Sequence, residues 1–285
     1  MVEGPGAPPF DFARPAGEPA LVGADSVSWR VFRNPVALFT GGVAAVILEL
    51  AEPAVRAGVW EHSSFRDDPV GRLRRTGLAA MVTVYGARSE AEAMIAGVRR
   101  AHRRVRGRLP SGEEYRADDP ALLRWVQATA VWGFAAAYDR FVRPLGEEAF
   151  GRMFAEGEAA ARLYGVTDPP ASLEDWRALL EGMRGRLEPS PVVAEFLRLM
   201  REAPALPRAM RPLQRMMVRG AVEITPGWVR RRLGLEGGGL RPGDRMILRR
   251  LGALADRVDL PSSPPAQALK RLGLPPLHPS GVEGV

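Results

Sequence analysis

Helix-initiation signals divide most of this chain into segments of helical length, and they constrain the fold more than any other feature. An N-cap residue followed by proline occurs at Asn34-Pro35, Asp68-Pro69 and Asp119-Pro120. Asn and Asp side chains satisfy the free amides of a first helical turn, and proline fits the first helical position. Alternating strand patterns are nearly absent. The sequence therefore predicts an all-α protein.

Proline and glycine are concentrated at both ends of the 285-residue chain. We expect a disordered or loosely docked leader over residues 1–23, one helical domain over 24–258 and a Pro/Gly-rich tail over 259–285. The pair Gly41-Gly42 lies inside an apolar helical segment and indicates a break or a close helix contact. A phosphate-binding loop fits less well, because no strand precedes the pair and the motif spacing is incomplete.

Composition excludes several kinds of site. The chain has no cysteine, which excludes disulfides, a thiolate nucleophile and Cys-ligated metal. Its three histidines, His62, His102 and His278, are too dispersed for an all-His zinc site. No segment reaches the length of apolar sequence that a membrane span needs, and the N-terminus lacks the pattern of a secretory signal. We expect a cytoplasmic protein, and the residues do not indicate an oligomeric state.

The net charge of +7 comes almost entirely from arginine, since Lys270 is the only lysine. Such a charge is typical of proteins that bind nucleic acid or a membrane surface. The acidic residues are interspersed, however, and no basic tract with interleaved aromatics stands out. Arginines spread over solvated helix faces are the favoured interpretation, and nucleic acid is not favoured as a partner.

One histidine falls on the apolar face of an otherwise arginine-rich helix. Ser89 and Glu92 form a capping-box pattern that predicts a helix from Ser89 to Arg106. Its apolar face would carry Ala91, Met94, Ile95, Val98, His102 and Val105. His102 is then either a satisfied core residue or a ligand. A neutral imidazole suits haem iron, provided that its other N–H finds an acceptor.

A second candidate site lies one helix upstream, at Arg72, Arg75 and Thr76. Arg72 and Thr76 are four residues apart and share a helix face, and Arg75 is one turn from Arg72. A guanidinium beside a hydroxyl binds a carboxylate or stabilises an oxygen species. The alternative is an exposed arginine face with Thr76 at a helix contact.

The order of several short motifs resembles a known family. They are Ala51-Glu52-Pro53, Gly58-Val59-Trp60-Glu61-His62-Ser63, Arg72-Leu73-Arg74-Arg75-Thr76, His102-Arg103-Arg104-Val105-Arg106-Gly107, Tyr115-Arg116-Ala117-Asp118-Asp119-Pro120 and Leu123-Arg124-Trp125-Val126. In this order and spacing, the chain resembles the MpaB-type oxygenases, which include the rubber-cleaving latex clearing proteins. The resemblance covers roughly residues 25–235.

The resemblance implies a single helical domain with a globin-like core that holds haem b. Characterised members cleave carbon–carbon double bonds of isoprenoid chains with dioxygen. His102 corresponds to the proximal iron ligand, and Arg72 and Thr76 to residues near the distal side. At the position of Arg75, latex clearing proteins carry a Lys that can bind the iron. A guanidinium stays protonated and makes a poor ligand.

Two further positions depart from the family pattern. Glu52 stands where many members have the His of a His-Pro pair, and Gln127 where many have the His of Trp-Val-His. We predict a haem b-dependent oxygenase that acts on an apolar, isoprenoid-like substrate with dioxygen. The alternatives are a non-catalytic helical haem or lipid binder and an arginine-rich nucleic-acid-binding protein.

Overall fold

The computed structural model describes residues 10–62, 65 and 67–276, and the helices fill most of this part of the chain. The α-helices are α1 (Val27–Phe32), α2 (Pro35–Ala51), α3 (Pro53–His62), α4 (Pro69–Tyr85), α5 (Arg88–His102), α6 (Pro120–Phe141), α7 (Gly146–Glu156), α8 (Glu158–Tyr164), α9 (Leu173–Gly182), α10 (Pro191–Glu202), α11 (Arg211–Ile224), α12 (Gly227–Arg232), α13 (Asp244–Ala255) and α14 (Pro264–Leu272). Short 3-10 turns occupy Arg208–Met210 and Glu236–Gly238. The all-α prediction is confirmed, while the globin-like arrangement stays a prediction.

The three predicted cap-proline starts are present. Asn34 accepts from the amides of Val36 and Ala37, and Asp119 from those of Ala121 and Leu122. Asp68 accepts from the amide of Gly71, which opens α4. These starts set the register of α2, α4 and α6, and therefore the direction in which each inner helix presents its site residues.

Helices α2 and α6 form the centre of the domain and make the most extensive helix–helix contact. They meet at Gly41 and Gly133, where a Cβ built on Gly41 would lie 2.6 Å from the carbonyl oxygen of Gly133. The predicted helix contact at Gly41-Gly42 is therefore confirmed, and α2 continues unbroken through the pair. The contact lets the two backbones touch and brings the next turns of both helices together.

Outer helices cover this pair on two sides. Helices α10, α11 and α13 pack on α2, while α1, α7 and α8 pack on α6 or on each other. Helix α4 has its main contacts with α1, α5 and α14 rather than with the central pair. The inner side of α4 is therefore only partly covered by the central helices.

A short hairpin follows α5 and was not predicted. Strand β1 (Arg106–Arg108) pairs antiparallel with β2 (Glu114–Arg116). The predicted helix from Ser89 to Arg106 ends at His102 instead, because Arg103 and Arg104 form a turn and Arg106 enters the strand. His102 is thus the last residue of its helix.

The two ends of the described chain are packed together, which differs from the expected leader and tail. Phe12 is 4% exposed, and the buried Arg271 of α14 donates to the carbonyls of Phe12 and Glu18. Ala20, Leu21 and Val22 are also buried. Apolar side chains in a Pro/Gly-rich context therefore dock residues 10–23. The predicted leader residues 1–9, the tail residues 277–285 and Ser63 lie outside the described residues.

The predicted capping box at Ser89 and Glu92 is wrong. Ala87 is the N-cap of α5 and makes no side-chain cap bond, so Ser89 lies inside the first turn. The amide and hydroxyl of Ser89 instead donate to the carboxylate of Glu18. The cap comes from a residue 71 positions away.

Over the residues that the structure describes, no single helix is long and apolar enough to cross a membrane. The pair α2 and α3 passes the same test of length and composition together, but its axes are bent by 109°.

Candidate functional site

The ring of His102 lies half-buried at the C-terminal end of α5, below two fully buried residues of the same face, Ala91 and Ile95. The predicted apolar face is therefore confirmed for the helix itself. Neither ring nitrogen has a hydrogen-bond partner among the described residues, and Nδ1 is buried. The acceptor expected for the second N–H is absent from this part of the chain.

Burial and a nearby cation keep the imidazole neutral. Burial lowers the pKa of His102, the Arg72 charge lowers it further, and Asp118 opposes both. A neutral imidazole with an unshared nitrogen lone pair is the form that binds a metal ion. His102 is therefore chemically suited to act as a ligand through one ring nitrogen, while the acceptor expected for the other N–H is not among the described residues.

The residues after His102 are held against α3 by the hairpin. Val105 accepts from the amide of Ala117, and its side chain lies beside Gly58 of α3. The Tyr115 ring covers Gly107 so closely that a Cβ there would lie 2.6 Å from the hydroxyl. The spacing of valine and glycine after His102 is thus explained by packing that fixes the end of α5.

Polar contacts also hold the hairpin against α3. The Tyr115 hydroxyl lies 3.0 Å from Nε2 of His62 and donates to a Glu61 carboxylate oxygen 3.3 Å away. Burial raises the pKa of Tyr115, and the Glu61 charge raises it further. The phenol therefore stays protonated and able to donate. Glu61 and His62 are engaged in this contact rather than with His102.

Arg72 lies on the inner side of α4 and is half-buried. Burial lowers the pKa of its guanidinium, and the charge of Glu49 raises it. Over residues 10–62, 65 and 67–276, Arg72 has no ion pair and no side-chain hydrogen bond. A part-buried cation without a partner is suited to bind an anion or a developing negative charge.

The other two predicted residues of α4 lie further out. Arg75 forms an ion pair with Asp68, with 3.4 Å between Nη1 and Oδ2. Thr76 is exposed, and its hydroxyl has no partner within the described chain. The structure therefore places Arg72 close enough for its charge to act on His102, and it shows no contact of Arg75 or Thr76 with His102 among the described residues.

Glu49 of α2 belongs to this site and was missed at the sequence level. Its Oε1 lies 3.3 Å from the hydroxyl of Thr129 in α6. Burial raises the pKa of Glu49 to about 7, against the lowering effects of Thr129 and Arg72. The sequence does contain a signal for it: Glu49 is the one ionisable residue in the otherwise largely apolar, 17-residue α2.

The two positions that depart from the resemblance have separate environments. Glu52 is fully buried, accepts from the amide of Val55 and pairs with Arg186 at 2.8 Å. It therefore serves the start of α3. Gln127 lies near Gly157, and its Oε1 is buried without a partner in the described part of the chain.

Two stripes of half-buried residues end at Glu49 and at His102, two titratable residues of the site. On α2 the stripe is Leu38, Gly42, Val46 and Glu49, and on α5 it is Met94, Val98 and His102. Their spacings of three and four place each stripe on one helix face. Leu38, Met94, Met81 of α4 and Phe134 of α6 pack on the same core cluster while remaining partly exposed. We call the apolar residues of these two stripes, with Met81 and Phe134, the inner apolar surface.

A comparison with protein families assigns the chain. The model described as "ER-bound oxygenase mpaB/B'/Rubber oxygenase, catalytic domain" matches residues 29–257. The chain belongs to this family. No curated protein and no solved structure gives a significant match.

Membership in the MpaB/rubber oxygenase family covers every residue of the site. The matched range begins in α1, includes Glu49, Arg72, His102 and Thr129, and ends just after α13. It stops before α14, so the contact of Arg271 with the N-terminal segment lies outside the matched range. This chain is therefore an oxygenase-family protein, and its family domain contains Glu49, Arg72 and His102.

The residues of this MpaB/rubber oxygenase member fit a haem better than a metal ion held by side chains alone. The described residues contain no group of three or more His, Asp or Glu side chains placed to hold a metal ion. A haem brings four ring nitrogens of its own and would need a side-chain ligand for its iron, apolar walls and cations for its carboxylates. His102, the inner apolar surface and Arg72 are of these three kinds.

Proposed function

We propose that this chain is a haem b-dependent oxygenase that uses dioxygen to oxidise a carbon–carbon double bond of an apolar, isoprenoid-like substrate. One observation carries the proposal: a neutral imidazole with two unpartnered nitrogens ends the half-buried stripe of α5. Membership in an oxygenase family supports the reaction class.

His102 would hold the iron, and the fixed end of α5 would orient its ring. The hairpin holds the residues after His102 through Val105 and Tyr115, so the imidazole cannot swing away with a fraying helix end. When bound, haem supplies the oxidation chemistry, and the protein supplies orientation and a dry site. Arg72 would place positive charge near the reacting oxygen, while Thr76 and Arg75 would act from further out on α4.

The inner apolar surface supports an apolar substrate. Leu38, Met81, Met94 and Phe134 expose part of their side chains although they pack on a buried core cluster. Side chains in such positions are suited to contact a hydrocarbon. Gly42 leaves room beside the Phe134 ring, where an added Cβ would lie 3.7 Å from it.

A haem or lipid binder without turnover is the second candidate, because two family positions are engaged elsewhere. Arg75 replaces an iron-binding Lys of latex clearing proteins and pairs with Asp68. Glu52 replaces a family His and pairs with Arg186. The binder would keep His102 and the inner apolar surface but show no oxygen consumption.

Absorption spectra of protein expressed with ample haem test the proposal. The wild type should show a Soret band, and His102→Ala should lose or shift it. His62→Ala is the matched control, since it removes another histidine and leaves the His102 imidazole in place; it loosens the hairpin through Tyr115 but should keep a Soret band. An unchanged band in His102→Ala, or no band in the wild type, contradicts the proposed ligand. Oxygen uptake with an isoprenoid alkene then separates the oxygenase from the binder.

A further inference from the structure

A single buried hydroxyl gives Glu49 two hydrogen-bonding arrangements. Thr129 Oγ1 lies 3.3 Å from Glu49 Oε1 and 2.9 Å from the carbonyl oxygen of Val126. A hydroxyl has one proton to donate and lone pairs to accept. With Glu49 ionised, Thr129 can donate to the carboxylate. With Glu49 protonated, the carboxylic acid can donate to Thr129, which then donates to Val126.

Both protonation states of Glu49 therefore fit the same heavy-atom positions. The Gly41–Gly133 contact fixes this geometry, because it holds α2 and α6 together two turns from Glu49 on α2 and one turn from Thr129 on α6. No side chain has to move for the proton to enter or leave. A carboxyl group in such a place can exchange a proton without disturbing its neighbours.

The charged groups around Glu49 are unequal. Arg72 faces the site from α4 and His102 from α5, and α6 contributes the uncharged Thr129. Arg75 lies further out on α4 and pairs with Asp68. Arg72 acts electrostatically on both Glu49 and His102, yet it forms no ion pair with Glu49 in the described chain. The Arg72 charge therefore remains available to a third group.

We propose that Glu49 is a positioning residue that balances the Arg72 charge across the site, taking up a proton from solvent when an anion engages Arg72 and releasing it when the anion leaves. The anion weakens the field that holds Glu49 ionised, and the proton adds to a Glu49 oxygen. The net charge of the site then stays constant as the anion binds. The proposal rests on the proposed function for the anion's identity, a carboxylate of haem or substrate.

Infrared difference spectra of the full-length protein, recorded from about pH 5 to about pH 9, test the exchange directly. The wild type should lose a protonated-carboxyl C=O band near neutral pH, and Glu49→Gln should lack that band. Glu52→Gln is the matched control, because it removes the other buried carboxyl at this end of α2, and it should keep the band.

Substitution of the cation separates a charge-balancing role from a purely structural one. Arg72→Gln should move the midpoint of the band upward by about one pH unit, because the charge that favours the carboxylate is gone. Arg72→Lys keeps a cation and should restore most of the wild-type midpoint. It also covers the case in which Arg72→Gln fails to fold. A midpoint that is the same in Arg72→Gln, or a band that survives in Glu49→Gln, overturns the proposal.

The infrared test of Glu49 and the Soret test of His102 can give negative results independently of each other. A titrating Glu49 in a protein without a Soret band supports the charge balance and contradicts the proposed function. A Soret band that depends on His102, with no carboxyl band assigned to Glu49, gives the opposite result.

Discussion

Gly41 and Gly133 meet backbone to backbone, and a Cβ on either one would lie within 2.6 Å of the other's carbonyl oxygen. Both belong to the central helices, α2 and α6, so neither can move away without disturbing the core. Glycine at these two positions is required by the distance between the helices.

Gly41→Ala should therefore destabilise the protein by about 1–3 kcal/mol, because the added methyl group overpacks a backbone contact. Gly77→Ala on α4 is the matched control, since nothing lies within 4 Å of its added Cβ. It should stabilise the protein by about 0.5–1 kcal/mol through helix propensity. Denaturant unfolding of both variants checks the opposite signs, and two changes of the same sign contradict the crossing.

Asp256 joins three parts of the fold and should be costly to remove. Its side chain is 1% exposed, accepts from the Tyr138 hydroxyl at 3.0 Å and pairs with Arg33 at 3.5 Å. Asp256→Ala leaves a buried cation without its partner and should destabilise the protein by about 3–5 kcal/mol. Thermal unfolding checks this, with Glu147→Ala as the control: Glu147 pairs with Arg177 at the surface, and its loss should barely change Tm.

Packing of residues 10–23 on the domain should contribute measurably to the free energy of unfolding. Phe12 is 4% exposed, so Phe12→Ala should destabilise the protein by about 3–5 kcal/mol. Leu274 is 44% exposed, and Leu274→Ala should stay within about 0.5 kcal/mol of the wild type. Urea unfolding distinguishes a docked segment from a loosely attached one, for which both variants would resemble the wild type.

Glu49 should make stability fall as pH rises. Its folded pKa is about 7 against an ordinary value of 4.5, so the folded state binds more protons than the unfolded state between these values. The free energy of unfolding should therefore decrease with rising pH across this window, by up to about 3 kcal/mol.

Glu49→Gln isolates that contribution. His102 has a lowered pKa and acts in the opposite direction as the pH falls, so the difference between wild type and variant is the quantity to measure. The two proteins should have similar stability near pH 4.5, and the variant should be the more stable above pH 7. A difference that does not change with pH contradicts the raised pKa.

The contact between Tyr115 and His62 should protect the end of α5 from opening. Tyr115→Phe removes the hydroxyl but keeps the ring over Gly107, so amide hydrogen exchange should become faster in the hairpin and around Val105. His62→Ala should have a similar effect, and the double variant should add little, since both changes remove one contact. Fully additive effects would indicate that the two side chains act separately.

The sequence predicted those parts of the fold that depend on neighbouring residues. Asn34, Asp68 and Asp119 cap the helices that they precede, because an N-cap acts over two or three positions. The capping box predicted at Ser89 was wrong because the partner of Ser89 is distant in sequence: Glu18 lies 71 residues away. Local pattern cannot supply such a partner.

The site was predictable to a similar extent. His102 was placed on its face by helical spacing, and Arg72 was singled out by helical spacing and then by the resemblance to the family. Glu49 needs the α2–α6 crossing to meet Thr129, and the hairpin needs Tyr115 to cover Gly107. Both depend on contacts between distant segments. The docking of residues 10–23 likewise depends on Arg271, 259 positions from Phe12.

That separation bears on the order in which the chain can fold during synthesis. A ribosome completes the N-terminal segment first, but the guanidinium that holds the carbonyls of Phe12 and Glu18 belongs to α14. Residues 10–23 therefore cannot dock through this contact until α14 has also left the ribosome. The segment that is made first takes its final place only after all the helices between it and α14 have been synthesised.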